Sequence, residues 1–130
     1  MERIAEKMTV KMKKLLEEHD RAGWTWIQLK PKGLTKHEFL AKIKDTPNSF
    51  NVPINGKYLF FSLDRDLLLR IARNEVLNHA FPLAKINLPS NKRGEDYVLC
   101  LYYKDNSRKH ELAERSKQYP GVRYRYWKGD

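Results

Sequence analysis

The clearest pattern of apolar and polar positions lies near the end of the chain, in residues 121–128 (GVRYRYWK). The residue types alternate strictly, which is the period of a β-strand. One predicted face carries Val122, Tyr124 and Tyr126, and the other carries Arg123, Arg125 and Trp127. Two guanidinium groups beside an indole on a rigid strand suit phosphate pairing and stacking on a flat ring. The pattern therefore predicts a surface for a ligand or nucleic acid.

A second predicted strand, residues 24–30 (WTWIQLK), shows a related pattern and is closed by Pro31 and Gly33. One face carries Trp24, Trp26, Gln28 and Lys30. Two tryptophans on one face are by themselves more often core, and paired arginines can equally form a solvated face or salt bridges. The combination of tryptophan with cationic or amide groups on two short strands favours the binding interpretation.

The first half of the chain also predicts two helices. Residues 2–21 are rich in good helix formers and are followed by Gly23, a natural stop. Thr35 and Glu38 have the spacing of a capping box, which predicts a short helix that runs through Ile43 and ends before Thr46 and Pro47. Residues 46–56 form the longest predicted loop, and its tip is expected to be mobile.

The second half alternates between strand and helix patterns. Strands are predicted at residues 57–63, 81–88 and 97–104. Helices are predicted at residues 65–79 and from a start within residues 105–107 to an end before Pro120. With no repeat or linker, residues 1–130 are expected to form a single domain of the α+β class. We expect a mostly antiparallel sheet with helices packed against one face.

Charge and cysteine content narrow the partners. The chain has 26 basic and 16 acidic residues, a formal charge of +10. Such an excess predicts attraction to nucleic acid, anionic membrane or acidic proteins, although plain solubility also explains it. Cys100 is the single cysteine, which excludes an internal disulfide and favours a reducing compartment. No apolar segment is long enough for a membrane span, so a soluble cytoplasmic protein is expected.

Patterns for catalysis are sparse. The glycines are scattered singly, so no phosphate-binding loop is predicted. The four histidines lack ligand spacing, and neither a metal nor a cofactor is expected. Cys100 has the setting of an inert core thiol, and Asp64 and Asp66 have that of helix caps. Because active-site residues converge in space and not in sequence, an enzyme stays an alternative.

Three stretches resemble an uncharacterised family typified by the basophilic-leukaemia-expressed protein. Residues 56–62 (GKYLFFS) resemble its Gly-Lys-aromatic strand, which precedes a helix. Residues 95–105 (EDYVLCLYYKD) resemble its apolar strand that ends in a Lys-Asp pair, and residues 122–128 its closing strand. That family has a fold similar to the cap-binding translation initiation factor 4E. The resemblance therefore implies a curved antiparallel sheet backed by helices on one side.

The resemblance also implies two kinds of site. Cap binding sandwiches a base between two tryptophans, and Trp24 or Trp26 together with Trp127 would imitate that arrangement. Some family members carry a phosphothreonine-lyase-like label, whose chemistry needs a Lys base and a His acid in one pocket. Neither of those two residues can be assigned from this sequence.

The expected function is binding of RNA or DNA, or of a nucleotide, through a basic and aromatic sheet face, with no cofactor. The expected site residues are Trp24, Trp26, Lys30, Lys57, Arg123, Arg125 and Trp127, the tryptophans for stacking and the cations for phosphate. One alternative is an enzyme of phosphate-bearing substrates that uses the same cations. Another is a module that binds an acidic protein partner.

Overall fold

The computed structural model describes residues 16–30, 34–42 and 54–129. The elements within these ranges are six strands, three α-helices and one short 3-10 helix (Pro89–Asn91). The strands are β1 (Leu16–Arg21), β2 (Trp24–Leu29), β3 (Gly56–Ser62), β4 (Leu83–Asn87), β5 (Tyr97–Tyr103) and β6 (Arg123–Gly129). The helices are α1 (Lys36–Lys42), α2 (Arg65–Asn78) and α3 (Lys109–Ser116).

All six strands join one sheet in the order β1-β2-β4-β5-β3-β6, and every neighbouring pair is antiparallel. Helix α2 packs across β2, β3, β4 and β5, and α3 packs against β6. The predicted α+β class with a mostly antiparallel sheet is therefore confirmed. Of the six described strands, β1 and β6 lie at the two edges of the sheet.

The main core fills the space between the sheet and helices α2 and α3. Its fully buried members include Ile27, Tyr58, Leu68, Ile86, Leu99 and Leu112. Tyr58 also fixes the start of α3: its hydroxyl donates to the Asp105 carbonyl oxygen (2.8 Å) and accepts from the Arg108 backbone N–H (2.9 Å). Burial raises the pKa of Tyr58, so the neutral phenol that can make both bonds is favoured.

The prediction of a helix over residues 2–21 is wrong for residues 16–21, which form β1. The other residues of that segment lie outside the described ranges. Ala22 (φ 53°) and Gly23 (φ 87°) both have positive φ, as in the tight turn that joins two strands of a hairpin. Pairing with β2 along its whole length then overrides the local helix propensity of β1.

The other predicted elements are present, with small shifts at their ends. The Thr35–Glu38 capping box forms in both directions: the Glu38 N–H donates to the Thr35 hydroxyl and the Thr35 N–H to the Glu38 carboxylate, each at 3.1 Å. Asp64 caps α2 by accepting from the Leu67 N–H. The end of the predicted helix at Ile43 and most of the predicted mobile loop lie outside the described residues. None of the described helices is long and apolar enough to cross a membrane.

Candidate nucleic-acid interface

The sheet face opposite α2 and α3, called here the second face, carries side chains in straight rows because opposed residues of antiparallel strands point to the same side. The first row lies where β2 begins and β4 ends. It consists of Arg21, Trp24, Asn87, Val98, Phe61 and Arg123, one from each strand. Its middle members are mainly apolar or aromatic and both of its ends are cationic.

The next row brings a lysine between aromatic rings. Lys85 Nζ lies 3.9 Å from the centroid of the Trp24 ring and 5.2 Å from that of Trp26. Trp26 stacks on Tyr102 with ring centroids 6.4 Å apart and an interplanar angle of 17°. The Trp26 indole N–H donates to the Arg21 carbonyl oxygen (3.2 Å). These rings are thus held in place by the sheet and by one another.

A cavity of about 450 Å³, called here the Trp24 cavity, opens over the first row. Its apolar lining comes from Ala22, Trp24, Phe61 and Val98, and its polar lining from Asn87, Asn91, Arg93 and Asp96. The Asn87 amide is engaged within the protein: its Nδ2 donates to the Asn91 carbonyl oxygen and its Oδ1 accepts from the Val98 N–H. Arg93 is exposed, and Arg123 forms an ion pair with Asp96 at the rim.

The closing strand does not alternate as predicted. In the pairing of β6 with β3, Tyr124 lies opposite Phe60 and Tyr126 lies opposite Leu59, so Arg125 is an extra residue in a β-bulge. A bulge shifts the alternation of every later residue by one position. Trp127 therefore packs with Tyr124 on the helix side of the sheet, and not beside Arg123.

The position of Trp127 also excludes the sandwich implied by the family resemblance. Trp127 lies against Tyr58, with ring centroids 4.8 Å apart, on the side of the sheet that faces α3. Trp24 and Trp26 lie on the second face. Because the sheet itself separates them, Trp127 cannot form a pair with either ring around one base.

Trp127 and Arg125 instead belong to a groove of about 390 Å³ between α3 and β6, called here the β6 groove. It is lined by Asn106, Lys109, His110, Ala113, Tyr124, Arg125 and Trp127. The described residues of this lining include cationic and aromatic side chains and no carboxylate.

The remaining two predicted residues differ in position. Lys57 belongs to the second face, where its Nζ lies 5.5 Å from the centroid of the Tyr102 ring. Lys30 follows the end of β2, and its Nζ lies 4.0 Å from a carboxylate oxygen of Glu17. The structure thus groups Trp24, Trp26, Lys57 and Arg123 on one face, ties Lys30 to an acidic neighbour, and moves Arg125 and Trp127 to the β6 groove.

Sequence reasoning missed Lys85, Tyr102, Phe61 and Arg93. A signal for Lys85 exists, since it stands between Ala84 and Ile86 in a predicted strand and shares its face with Leu83 and Asn87. A single lysine in a strand whose other side chains are predicted to be buried is a candidate for contact with aromatic rings. Tyr102 and Phe61 lie in nearly continuous apolar runs, where alternation gives no indication of the face.

His19 also lies on the second face, opposite Trp26. Both of its ring nitrogens are buried, and neither has a hydrogen-bond partner among the described residues. Burial is the main cause that lowers the pKa of His19, Arg21 lowers it further, and Asp20 opposes them. The imidazole is therefore favoured in its neutral form. Among the described residues, no group of three or more His, Cys, Asp or Glu side chains is arranged to hold a metal ion.

No protein-family model, no curated protein and no solved structure matches this chain.

Proposed function

We propose that the protein binds single-stranded nucleic acid, RNA or DNA, through the second face, with one base in the Trp24 cavity. The observation that carries the proposal is the combination, in one cavity of about 450 Å³, of aromatic lining from Trp24 and Phe61 with an exposed Arg93 and with Arg123 at its rim. A base needs flat apolar surface and its phosphates need cations, and the cavity offers both.

The magnitudes favour this ligand. Stacking of a base on an aromatic side chain contributes about 1–3 kcal/mol. Each cation that contacts a phosphate adds an attraction that weakens as salt rises. The Arg123 side chain is 58% exposed despite its ion pair. A guanidinium has five N–H donors, so Arg123 can contact Asp96 and a phosphate together. The net charge of +10 adds a general attraction to polyanions.

The proposal extends to the fold relationship and the compartment. A fold like that of the cap-binding translation initiation factor 4E is supported by the six antiparallel strands with α2 and α3 on one face. A cytoplasmic location is supported by the single cysteine, Cys100, which is buried and forms no disulfide within the chain. The fold relationship and the cytoplasmic location are thus proposed together with the nucleic-acid role.

The enzyme alternative has one supporting observation. Lys109 and His110 line the same groove, as a lyase acting on a phosphate-bearing substrate would need. Both side chains are exposed, however, and they are consecutive on α3. A general base and acid usually require burial that adjusts their proton affinity. The nucleic-acid proposal is therefore preferred.

The test is binding of fluorescein-labelled oligo(U) and oligo(dT), measured by fluorescence anisotropy at about 50 and about 200 mM salt. Tryptophan emission is followed in parallel. We expect salt-sensitive binding with quenching. Trp24→Leu should weaken it about tenfold, since it removes a stacking surface but keeps an apolar side chain.

Charge variants separate a defined contact from general attraction. Arg123→Gln should weaken binding several-fold and lower the salt slope by about one phosphate contact. Lys117→Gln is the matched control, because Lys117 is 70% exposed and pairs only with Glu114 in the described structure. Equal effects of the two charge variants, together with unchanged binding by Trp24→Leu, would contradict the proposal. Binding of an acidic protein without binding of either oligonucleotide would favour the protein-module alternative.

A further inference from the structure

We propose that a bound single strand passes around the edge strand β6 and places a second set of phosphates in the β6 groove, on Arg125 and Lys109. This inference rests on the proposed function and adds a second site to it. The site on the second face does not include the β6 groove, and this inference gives the groove a role.

The bulge in β6 provides the connection. Arg123 lies opposite Phe61, on the second face, and Arg125 lines the groove on the helix side. Residues two positions apart in a strand are separated by about 7 Å. Arg123 and Arg125 of one strand thus lie on opposite sides of the sheet. Without the bulge, alternation would place both on the same side.

The charges of the groove favour an anion. Lys109 and Arg125 are exposed, and the described structure records no ion pair for either of them. The acidic side chains of α3 are engaged away from the groove. Glu111 binds Arg108 and Arg115, which lower the pKa of Glu111 to about 2, and Glu114 binds Lys117. Glu111 and Glu114 therefore do not neutralise the positive charge of Lys109 and Arg125 in the groove.

The walls of the groove favour nucleic acid over a bare anion. Tyr124 and Trp127 line it beside the cations, and Trp127 is only half-buried by its contact with Tyr58. The ring surface that faces the groove offers a base the same kind of contact as Trp24 does on the second face. A simple phosphate ion would use the cations and leave the rings unused.

The dimensions set a length requirement. Trp24 on β2 and Arg123 on β6 are four strand spacings apart, or about 19 Å, and the passage from one face of the sheet to the other adds about 10 Å. A stacked strand advances about 3.4 Å per nucleotide, so roughly eight to nine nucleotides reach from the Trp24 cavity to the β6 groove. A strand of about four nucleotides fills only one of the two sites.

The experiment compares labelled oligo(dT) of about four and about 12 nucleotides, lengths on either side of this requirement. The test variant is Lys109→Gln/Arg125→Gln, and the matched control is Lys36→Gln/Lys117→Gln, which removes two exposed charges elsewhere. For the short strand we expect equal affinity of wild type and both variants. For the long strand we expect the test variant to bind about tenfold more weakly, with its salt slope lower by about two phosphate contacts.

Each failure has its own signature. If neither length binds the wild type, the proposed function itself fails. If both lengths bind and the test variant equals the control for the long strand, the path around β6 is overturned while the site on the second face stands. Equal weakening of both lengths by the test variant would also overturn the path, since it would place the primary site in the groove. Circular dichroism of all variants checks that their folds are unchanged.

Discussion

The indole of Trp127 lies across Gly56, the residue that begins the neighbouring strand β3. A Cβ atom on Gly56 would lie 2.8 Å from the Cη2 atom of that indole and 2.7 Å from the carbonyl oxygen of Lys128. The absence of a side chain at Gly56 thus allows Trp127 to pack on Tyr58 and to form one wall of the β6 groove. The glycine meets a requirement of space, and no unusual backbone conformation is involved.

Gly56→Ala should therefore displace Trp127. We expect a loss of about 1–3 kcal/mol in the free energy of unfolding, measured by urea denaturation, and a shift in tryptophan emission. Gly129→Ala is the matched control, because Gly129 lies opposite Gly56 in the sheet and a Cβ there would have its nearest atom at 3.8 Å. Equal stability of the two variants would show that the indole does not depend on Gly56.

A buried ion pair joins α2 to α3. The Glu75 side chain is 1% exposed and receives two hydrogen bonds from the Arg115 guanidinium, at 2.9 and 2.6 Å. Arg115→Leu would leave a buried carboxylate without its partner and should cost about 3–5 kcal/mol in urea denaturation. The exposed pair of Lys117 and Glu114 is the internal comparison, and Lys117→Leu should change stability by less than about 1 kcal/mol.

The double variant Glu75→Met/Arg115→Leu tests the cause of that loss. Because it removes both charges and keeps apolar volume, it should recover most of the stability that Arg115→Leu loses. If the double variant is as unstable as the single one, the loss comes from packing and not from an unpaired charge.

The neutral state of His19 predicts a dependence of stability on pH. The pKa of His19 is lowered in the folded protein from 6.5, so below that pH the unfolded chain binds more protons than the folded one. Stability from this group is then present above pH 6.5 and is lost as the pH falls toward the lower folded value. The urea midpoint should drop between about pH 7.5 and about pH 5.5.

Two substitutions test whether His19 causes that pH dependence. His19→Phe should flatten the drop, because it keeps a ring but removes the two buried nitrogens, for which the described residues supply no hydrogen-bond partner. His37→Gln, at an exposed position on α1, should leave the drop unchanged. A wild-type midpoint that is constant over this pH range would contradict the assignment to His19.

Local chemistry explains which parts of the fold could be predicted from the sequence. The Thr35–Glu38 capping box and the Asp64 cap depend on residues within one turn of each other, and both form as their spacing predicts. Strand β1 could not be predicted in this way. Its residues favour a helix locally, and only the hairpin turn at Ala22 and Gly23 and the pairing with β2 make it a strand.

The candidate site could be predicted only in part, for a related reason. Alternation correctly placed Trp24 and Trp26 on one face of β2. Alternation failed in β6 because the bulge at Arg125 arises from pairing with β3, a strand distant in sequence. Cavities and grooves depend on which strands are neighbours, and the order of the strands is a property of the whole sheet.

The two tryptophans of β2 should separate binding from folding. Trp26 stacks on Tyr102 and donates to the Arg21 carbonyl oxygen, whereas Trp24 lines the Trp24 cavity. Trp26→Leu should therefore lower the free energy of unfolding by about 2–4 kcal/mol. Trp24→Leu should cost less stability and should weaken oligo(dT) binding about tenfold, since it removes the stacking wall. Urea denaturation and anisotropy of both variants give the comparison. If Trp26→Leu remains stable but fails to bind, and Trp24→Leu binds normally, then Trp26 and not Trp24 is the residue that contacts the base.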